Sequence, residues 1–190
     1  MKKRLAQEKD RKETEIQQLE GSLVKNKVAV EAGCGVDALT SRGYGMVEDD
    51  VLALNVYEAL YLVSKGMLKV SKGKKRGMSL GFEQLLHQFK RLNGDLWVRY
   101  LVYRDWRSRG YVVREGFGLD IDFRIYERGA YGKKPATYLV LSIQEGKPIP
   151  VKRLAQVLRH VQSLKKKLVL SVVNRRGEVV YYSLSKLTMR

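Results

Sequence analysis

The chain has 190 residues, enough for one large or two small domains, and its 44% hydrophobic content suffices for a packed core and excludes global disorder. No apolar run approaches the roughly 18 residues of a membrane span, and the Lys/Glu-rich start has no signal-peptide core. Lys and Arg total 37 against 20 Asp and Glu, a net charge of +17, so polyanions are the expected partners, nucleic acid ahead of lipid because no helix pairs a strongly basic face with a bulky apolar one.

Residues 1–20 are charged throughout and read as a solvated extension ended by Gly21. Ser22 to Ala32 alternates roughly and predicts short strands, and Cys34, beside Gly33 and Gly35, reads as a small buried residue. A single cysteine excludes an internal disulfide and a cysteine zinc cluster. Asn55 with Glu58 three residues later predicts a capping box, followed by the apolar stripe Val56, Ala59, Leu60 and Val63 and a stop at Gly66. Met67–Val70 predicts a strand, 72–77 a basic loop, and Ser79 the start of a second helix that buries Leu80, Leu85, Leu86, Phe89 and Leu92.

Asn93-Gly94 ends that helix and marks a domain boundary, giving 1–20 as extension, 21–93 as first domain and 94–190 as second. The second domain predicts a helix from Leu96 to Arg109, strands at Tyr111–Arg114, Phe123–Tyr126 and Tyr138–Ile143, and a loop to Pro150, placed in the first helical turn. A helix with Leu154, Val157, Leu158, Val161 and Leu164 inward follows. Last comes a hairpin, Leu168–Val173 and Glu178–Leu184, around Asn174-Arg-Arg-Gly177. The class is α+β: a small N-terminal α/β domain, then a mixed sheet flanked by helices.

These segments resemble the archaeal tRNA-intron splicing endonuclease family. The resemblance rests on Tyr100-Leu-Val-Tyr-Arg-Asp-Trp-Arg-Ser-Arg-Gly-Tyr111, Asp122-Phe-Arg-Ile-Tyr-Glu-Arg-Gly129, Tyr138-Leu-Val140, Arg159 to Leu168, and Val179-Val-Tyr-Tyr182. In the first domain it rests on Leu54-Asn-Val-Tyr-Glu-Ala-Leu-Tyr-Leu-Val63 and Gly66-Met-Leu-Lys-Val70. The family implies metal-independent cleavage of precursor tRNA at bulge–helix–bulge junctions, leaving a 2′,3′-cyclic phosphate and a 5′-hydroxyl, with no cofactor. Tyr126 matches the general base, and Lys166 matches the lysine that stabilises the pentavalent phosphate. The acid histidine belongs three residues before the Tyr-Leu-Val strand, where this chain has Pro135. Proline cannot donate a proton. The resemblance therefore implies the structural subunit of a cytoplasmic (αβ)2 enzyme, assembled with a catalytic homologue on precursor tRNA.

Other positions follow by resemblance. Arg159 matches an arginine that stacks on a bulged base; Lys165 and Lys167, which the family does not single out, belong to the basic run around Lys166 and are expected RNA contacts. The strand with Val179, Val180, Tyr181, Tyr182 and Leu184 adds to the edge of a dimer partner. The preceding loop, acidic in the family and docked in a basic groove, here carries Arg175 and Arg176, with Glu178 alone keeping the sign. Three alternatives stay open. One is an active subunit with a relocated acid, His87 or His160. A second is a Mg²⁺ nuclease built on Asp120, Asp122 and Glu145-Gly-Lys147, although Glu145 sits in a Gly/Pro loop. The third is a basic RNA-binding protein with no part in cleavage.

Overall fold

The computed structural model describes residues 18–31, 33, 35–73, 78–91, 94–118 and 120–185. Most of the charged extension, together with Cys34, 74–77, Leu92 and Asn93, lies outside the described residues. The chain divides into two compact units, Met1–Leu92 and Asn93–Arg190.

The first unit holds a six-stranded mixed sheet in the order β3-β4-β2-β1-β5-β6. Strand β1 (Leu19–Val24) begins two residues inside the span read as extension, because Leu19 and Glu20 pair in parallel with Leu68 and Lys69 of β5 (Leu68–Lys72). It turns back into β2 (Lys27–Glu31). Helix α1 (Val36–Ser41) and the hairpin β3 (Met46–Glu48)–β4 (Val51–Leu54) follow. The expected capping box opens α2 (Val56–Ser64): the Glu58 amide donates to Asn55 Oδ1 and the Asn55 amide to Glu58 Oε2, both at 2.9 Å.

One expectation fails here. Ser79 and Leu80 form β6, with Leu80 opposite Val70, and helix α3 (Phe82–Lys90) starts beyond Gly81. The Gly81 amide donates to Gln84 Oε1 at 2.9 Å, so the cap falls two residues beyond Ser79. Leu80 is thus a strand residue, while Leu85 and Phe89 are fully buried on α3 as expected.

The second unit is a five-stranded sheet in the order β11-β10-β9-β8-β7 with one helix on each face. Helix α4 (Leu96–Ser108) covers the first face: Tyr103 lies 5.9 Å from Phe123, and Trp106 lies 4.9 Å from Tyr181 and 6.0 Å from Tyr138, centroid to centroid. Antiparallel β7 (Val112–Glu115), β8 (Phe123–Tyr126) and β9 (Tyr138–Gln144) are neighbours in both chain and sheet. Parallel β9 and β10 (Lys167–Val173) need a crossover, supplied by α5 (Val151–Ser163). Its Val157 and Val161 bury against Leu139, Leu141 and Leu168 on the second face. Pro150 stands one position outside the helix as its cap, φ −59° and ψ 129°, rather than in the first turn. Its carbonyl accepts from the Leu154 amide at 3.2 Å and so starts the ladder. Leu164, expected in the core, is 38% exposed because the helix has already ended. Edge strand β11 (Val179–Leu184) completes the sheet, and the α+β assignment with a helix-flanked mixed sheet stands.

Candidate nucleic-acid interface

The alternation of β8 decides where its polar residues go. Phe123 and Ile125 are buried on the α4 side, so Arg124 and Tyr126 stand on the opposite face, the one that α5 covers over β9 and β10. Tyr126 is the last residue of β8. The Thr137 amide donates to the Ile125 carbonyl at 2.9 Å, and the Lys167 amide donates to the Thr137 carbonyl at 3.3 Å. Thr137 therefore sits between Tyr126 and Lys166 at one end of the sheet. With neighbouring strands about 4.8 Å apart, their backbones are about 10 Å from each other, within reach of two long side chains converging on one phosphate. The Tyr126 ring is held edge-on by Tyr131, centroids 5.1 Å apart at 89°.

Lys166 reaches this rim through a helix stop. The Lys165 amide donates to Gln162 O at 2.9 Å and the Lys166 amide to Val161 O at 3.1 Å, the two bonds of a Schellman motif. Lys165 occupies the left-handed position at φ +54°, where glycine is usual. Lys165 and Lys167 are exposed and Lys166 is half-buried, with Lys167 Nζ 5.9 Å from the Tyr138 ring centroid. Three cations at a helix C-terminus also oppose its partial negative charge. Arg159 is exposed on α5.

Pro135 is exposed two residues before Thr137, at the same rim. The two histidines lie elsewhere in the chain, on α5 and α3. His160 is half-buried on α5, and its Nε2 is enclosed without a hydrogen-bond partner, hence bonded to neither Tyr126 nor Lys166. His87 is exposed on α3 of the first unit.

The hairpin tip is at the other end of β10. Asn174 organises it: its Oδ1 accepts from the amides of Arg176 (2.9 Å) and Glu178 (3.0 Å), and its Nδ2 donates to Glu178 Oε2 at 2.7 Å. The Glu178 carboxylate is thereby engaged at the base of the turn, and Arg175 and Arg176 are exposed. Along β11, Val180 and Tyr182 face outward, 44% and 55% exposed, while Val179 and Leu184 are half-buried. Tyr181 turns inward onto Trp106 and donates its hydroxyl to Asp105, and burial pushes its phenol well above the usual range.

Near the same far end lies a polar cleft of charge pairs: Arg99–Asp122 (2.9 Å), Lys147–Asp95 (2.5 Å) and Arg153–Asp120 (2.6 Å). Burial pushes the Asp122 carboxyl up, against Arg99 and the Ser142 amide, which donates to it at 2.6 Å. Hydrogen bonds from Lys147 and Arg153 pull Asp95 and Asp120 down. The aspartates of the metal-nuclease alternative are thus each matched by an arginine. Among the described residues no group of three His, Cys, Asp or Glu side chains is close enough to hold an ion. No helix among them is long and apolar enough to cross a membrane.

Residues 19–86 match the model of the tRNA intron endonuclease N-terminal domain, and residues 96–181 match that of the tRNA intron endonuclease catalytic C-terminal domain. A tRNA-splicing endonuclease of Methanococcus maripaludis is 34% identical over 155 residues, 82% of this chain and 86% of the relative. That of Methanothermobacter thermautotrophicus is 34% identical over 166 residues, 86% and 95% of the two chains. That of Pyrococcus furiosus is 34% identical over 142 residues, 75% and 80%. The chain belongs to the tRNA intron endonuclease family.

Proposed function

We propose that this chain is the structural, RNA-positioning subunit of a heterotetrameric tRNA-splicing endonuclease that removes introns from precursor tRNA at bulge–helix–bulge junctions. The observation that carries the reading is Pro135, an exposed ring without a transferable proton at the rim that Tyr126 and Lys166 share. Cleavage without metal needs three acts: removal of the 2′-OH proton, stabilisation of charge on the phosphorane, and protonation of the leaving 5′-oxygen. A phenol and an ammonium supply the first two. The third must come from a catalytic homologue acting at its own site, since losing a general acid costs roughly 10²–10⁴ in rate. This subunit contributes by holding the substrate, and positioning alone lowers a barrier by several kcal/mol. Arg159, Lys165 and Lys167 are its proposed RNA contacts. The β11 edge and the 174–178 tip are its proposed contacts with protein partners.

The test is to purify the chain alone and with a histidine-bearing homologue, measure the mass of each assembly, and assay both on a bulge–helix–bulge RNA. Cleavage is expected only from the mixed assembly, and Lys166→Ala in this chain is expected to leave that rate unchanged. Robust cutting by the chain alone would overturn the reading in favour of a relocated acid.

A further inference from the structure

The face that carries Tyr126 bears a second group of side chains, which the cleavage chemistry does not use. Arg124 and Arg114 are directly opposite on β8 and β7, on the side away from α4. Beyond Arg124, the guanidinium carbon lies 4.9 Å from the centroid of Phe117, whose side chain is 56% exposed. Beyond Arg114, the guanidinium carbon lies 6.0 Å from the centroid of Tyr131, the ring that abuts Tyr126. The result is a continuous strip: Phe117, Arg124, Arg114, Tyr131, Tyr126.

The strip is preformed. Arg124 Nε donates to the Glu115 carbonyl at 3.0 Å, which fixes the guanidinium against the phenyl ring. The loop presenting Phe117 is pinned at its start, where the Gly116 amide donates to the Asp122 carbonyl at 2.7 Å. A side chain at 116 would place its Cβ 2.0 Å from the Ile121 carbonyl oxygen, so only glycine permits this approach. An aromatic ring held open to water, with a cation against it, gains nothing from core packing. Rings interleaved with guanidinium groups on a sheet face suit unpaired bases joined by phosphates, because every base offers a π-face. An apolar protein segment would satisfy Phe117 but offer Arg124 no anion.

We propose that this face of β7 and β8 is a base-stacking platform for single-stranded RNA, with Phe117 and Arg124 taking one unpaired base. The proposal rests on the RNA-positioning role and adds a site to it, separate from Arg159 and the lysine run. It assigns the platform to unpaired nucleotides, whose bases can leave the helical stack, and not to duplex.

The test uses the full chain and two labelled RNAs of equal length, one with a three-nucleotide bulge and one fully paired, followed by anisotropy over a range of salt. Phe117→Ala is expected to weaken binding of the bulged RNA about tenfold, with the salt dependence unchanged and duplex binding altered less than twofold. Phe117→Trp is expected to retain full affinity. Arg124→Ala is expected to reduce the salt slope by about one. Unchanged tryptophan emission confirms the fold of the two alanine variants, since Trp97 and Trp106 both lie in α4, and far-UV circular dichroism does so for Phe117→Trp. Equal losses on both RNAs, or none, would overturn the platform while leaving the RNA role intact. Failure of the unmodified chain to bind either RNA would overturn both.

Discussion

Replacing Lys165 by glycine is expected to stabilise the second unit while weakening its hold on RNA. A side chain at φ +54° meets its own backbone, at about 1–2 kcal/mol relative to the right-handed region. Glycine removes that cost but gives the unfolded chain more freedom, which takes back about 0.4–1 kcal/mol. The net is a gain of about 0.5–1 kcal/mol. Two smaller effects oppose each other: the cation leaves a helix C-terminus, losing about 0.3–1 kcal/mol, and repulsion from Lys166 and Lys167 is relieved. Both fade with salt, so the measurement belongs at high ionic strength. For a unit of this size the gain corresponds to a rise in Tm of roughly 2–5 °C. Urea and thermal unfolding followed by tryptophan emission report it cleanly, because Trp97 and Trp106, the chain's two tryptophans, belong to α4. RNA affinity should fall severalfold in the same variant as a phosphate contact is lost. Destabilisation at high salt would refute the strain, and undiminished affinity would remove Lys165 from the RNA surface.

Three further outcomes are expected. Pro135→His returns an imidazole to the rim beside Tyr126 and Lys166, and should raise cleavage by the chain alone about 10²–10⁴-fold; a folded variant without any gain would mean that the rim no longer holds a phosphate productively. Asp122→Asn keeps only one of the two oxygens, Oδ1 facing Arg99 and Oδ2 facing the Ser142 amide, and should cost about 1–3 kcal/mol. Because burial raises the folded carboxyl, the native side chain favours folding most below its unfolded value near 3.9 and loses that contribution as pH rises through its folded value. The cost of Asp122→Asn should therefore shrink as pH rises past the ordinary carboxylate range, and a cost that grew instead would reverse the assignment. Tyr181→Phe should cost about 1 kcal/mol by urea titration, since Asp105 keeps Arg109 at 2.7 Å when the hydroxyl goes; no loss would place that hydroxyl's bond at the level of exchange with water.

Strong local signals made much of the second unit legible. The span Phe123–Tyr126 matches β8, and the hairpin around Asn174-Arg-Arg-Gly177 is where alternation and turn chemistry placed it. The β3–β4 hairpin and α1 escaped the reading. That hairpin turns on Asp49 and Asp50 at φ +47° and +60°, where aspartates carry a weaker signal than Asn-Gly, and α1 has only six residues, too few for a period to register. Leu80 was misplaced because a lone leucine beside a serine says nothing about a strand partner ten residues upstream. The site divides in the same way. Tyr126, Lys166 and Pro135 came from family spacing, and the register gathers them at one rim. The Phe117–Arg124 pair was hidden because a ring and a guanidinium seven residues apart meet only after the β7–β8 loop folds back. Its one available clue was the Phe-Arg-Ile-Tyr alternation, which sends Arg124 and Tyr126 to the same side.

Strand β10 separates the basic hairpin tip from Lys166 by its full length. Seven residues at about 3.3 Å each make some 23 Å, several times the span of a hydrogen bond. A side chain docked on Arg175 and Arg176 consequently cannot itself hand a proton across to the rim of the same protomer that carries Tyr126 and Lys166. Assembly and chemistry can thus diverge independently along one strand: the sign of the tip can invert to suit a new mate without moving Tyr126, and any donor supplied in trans would have to approach from the opposite end.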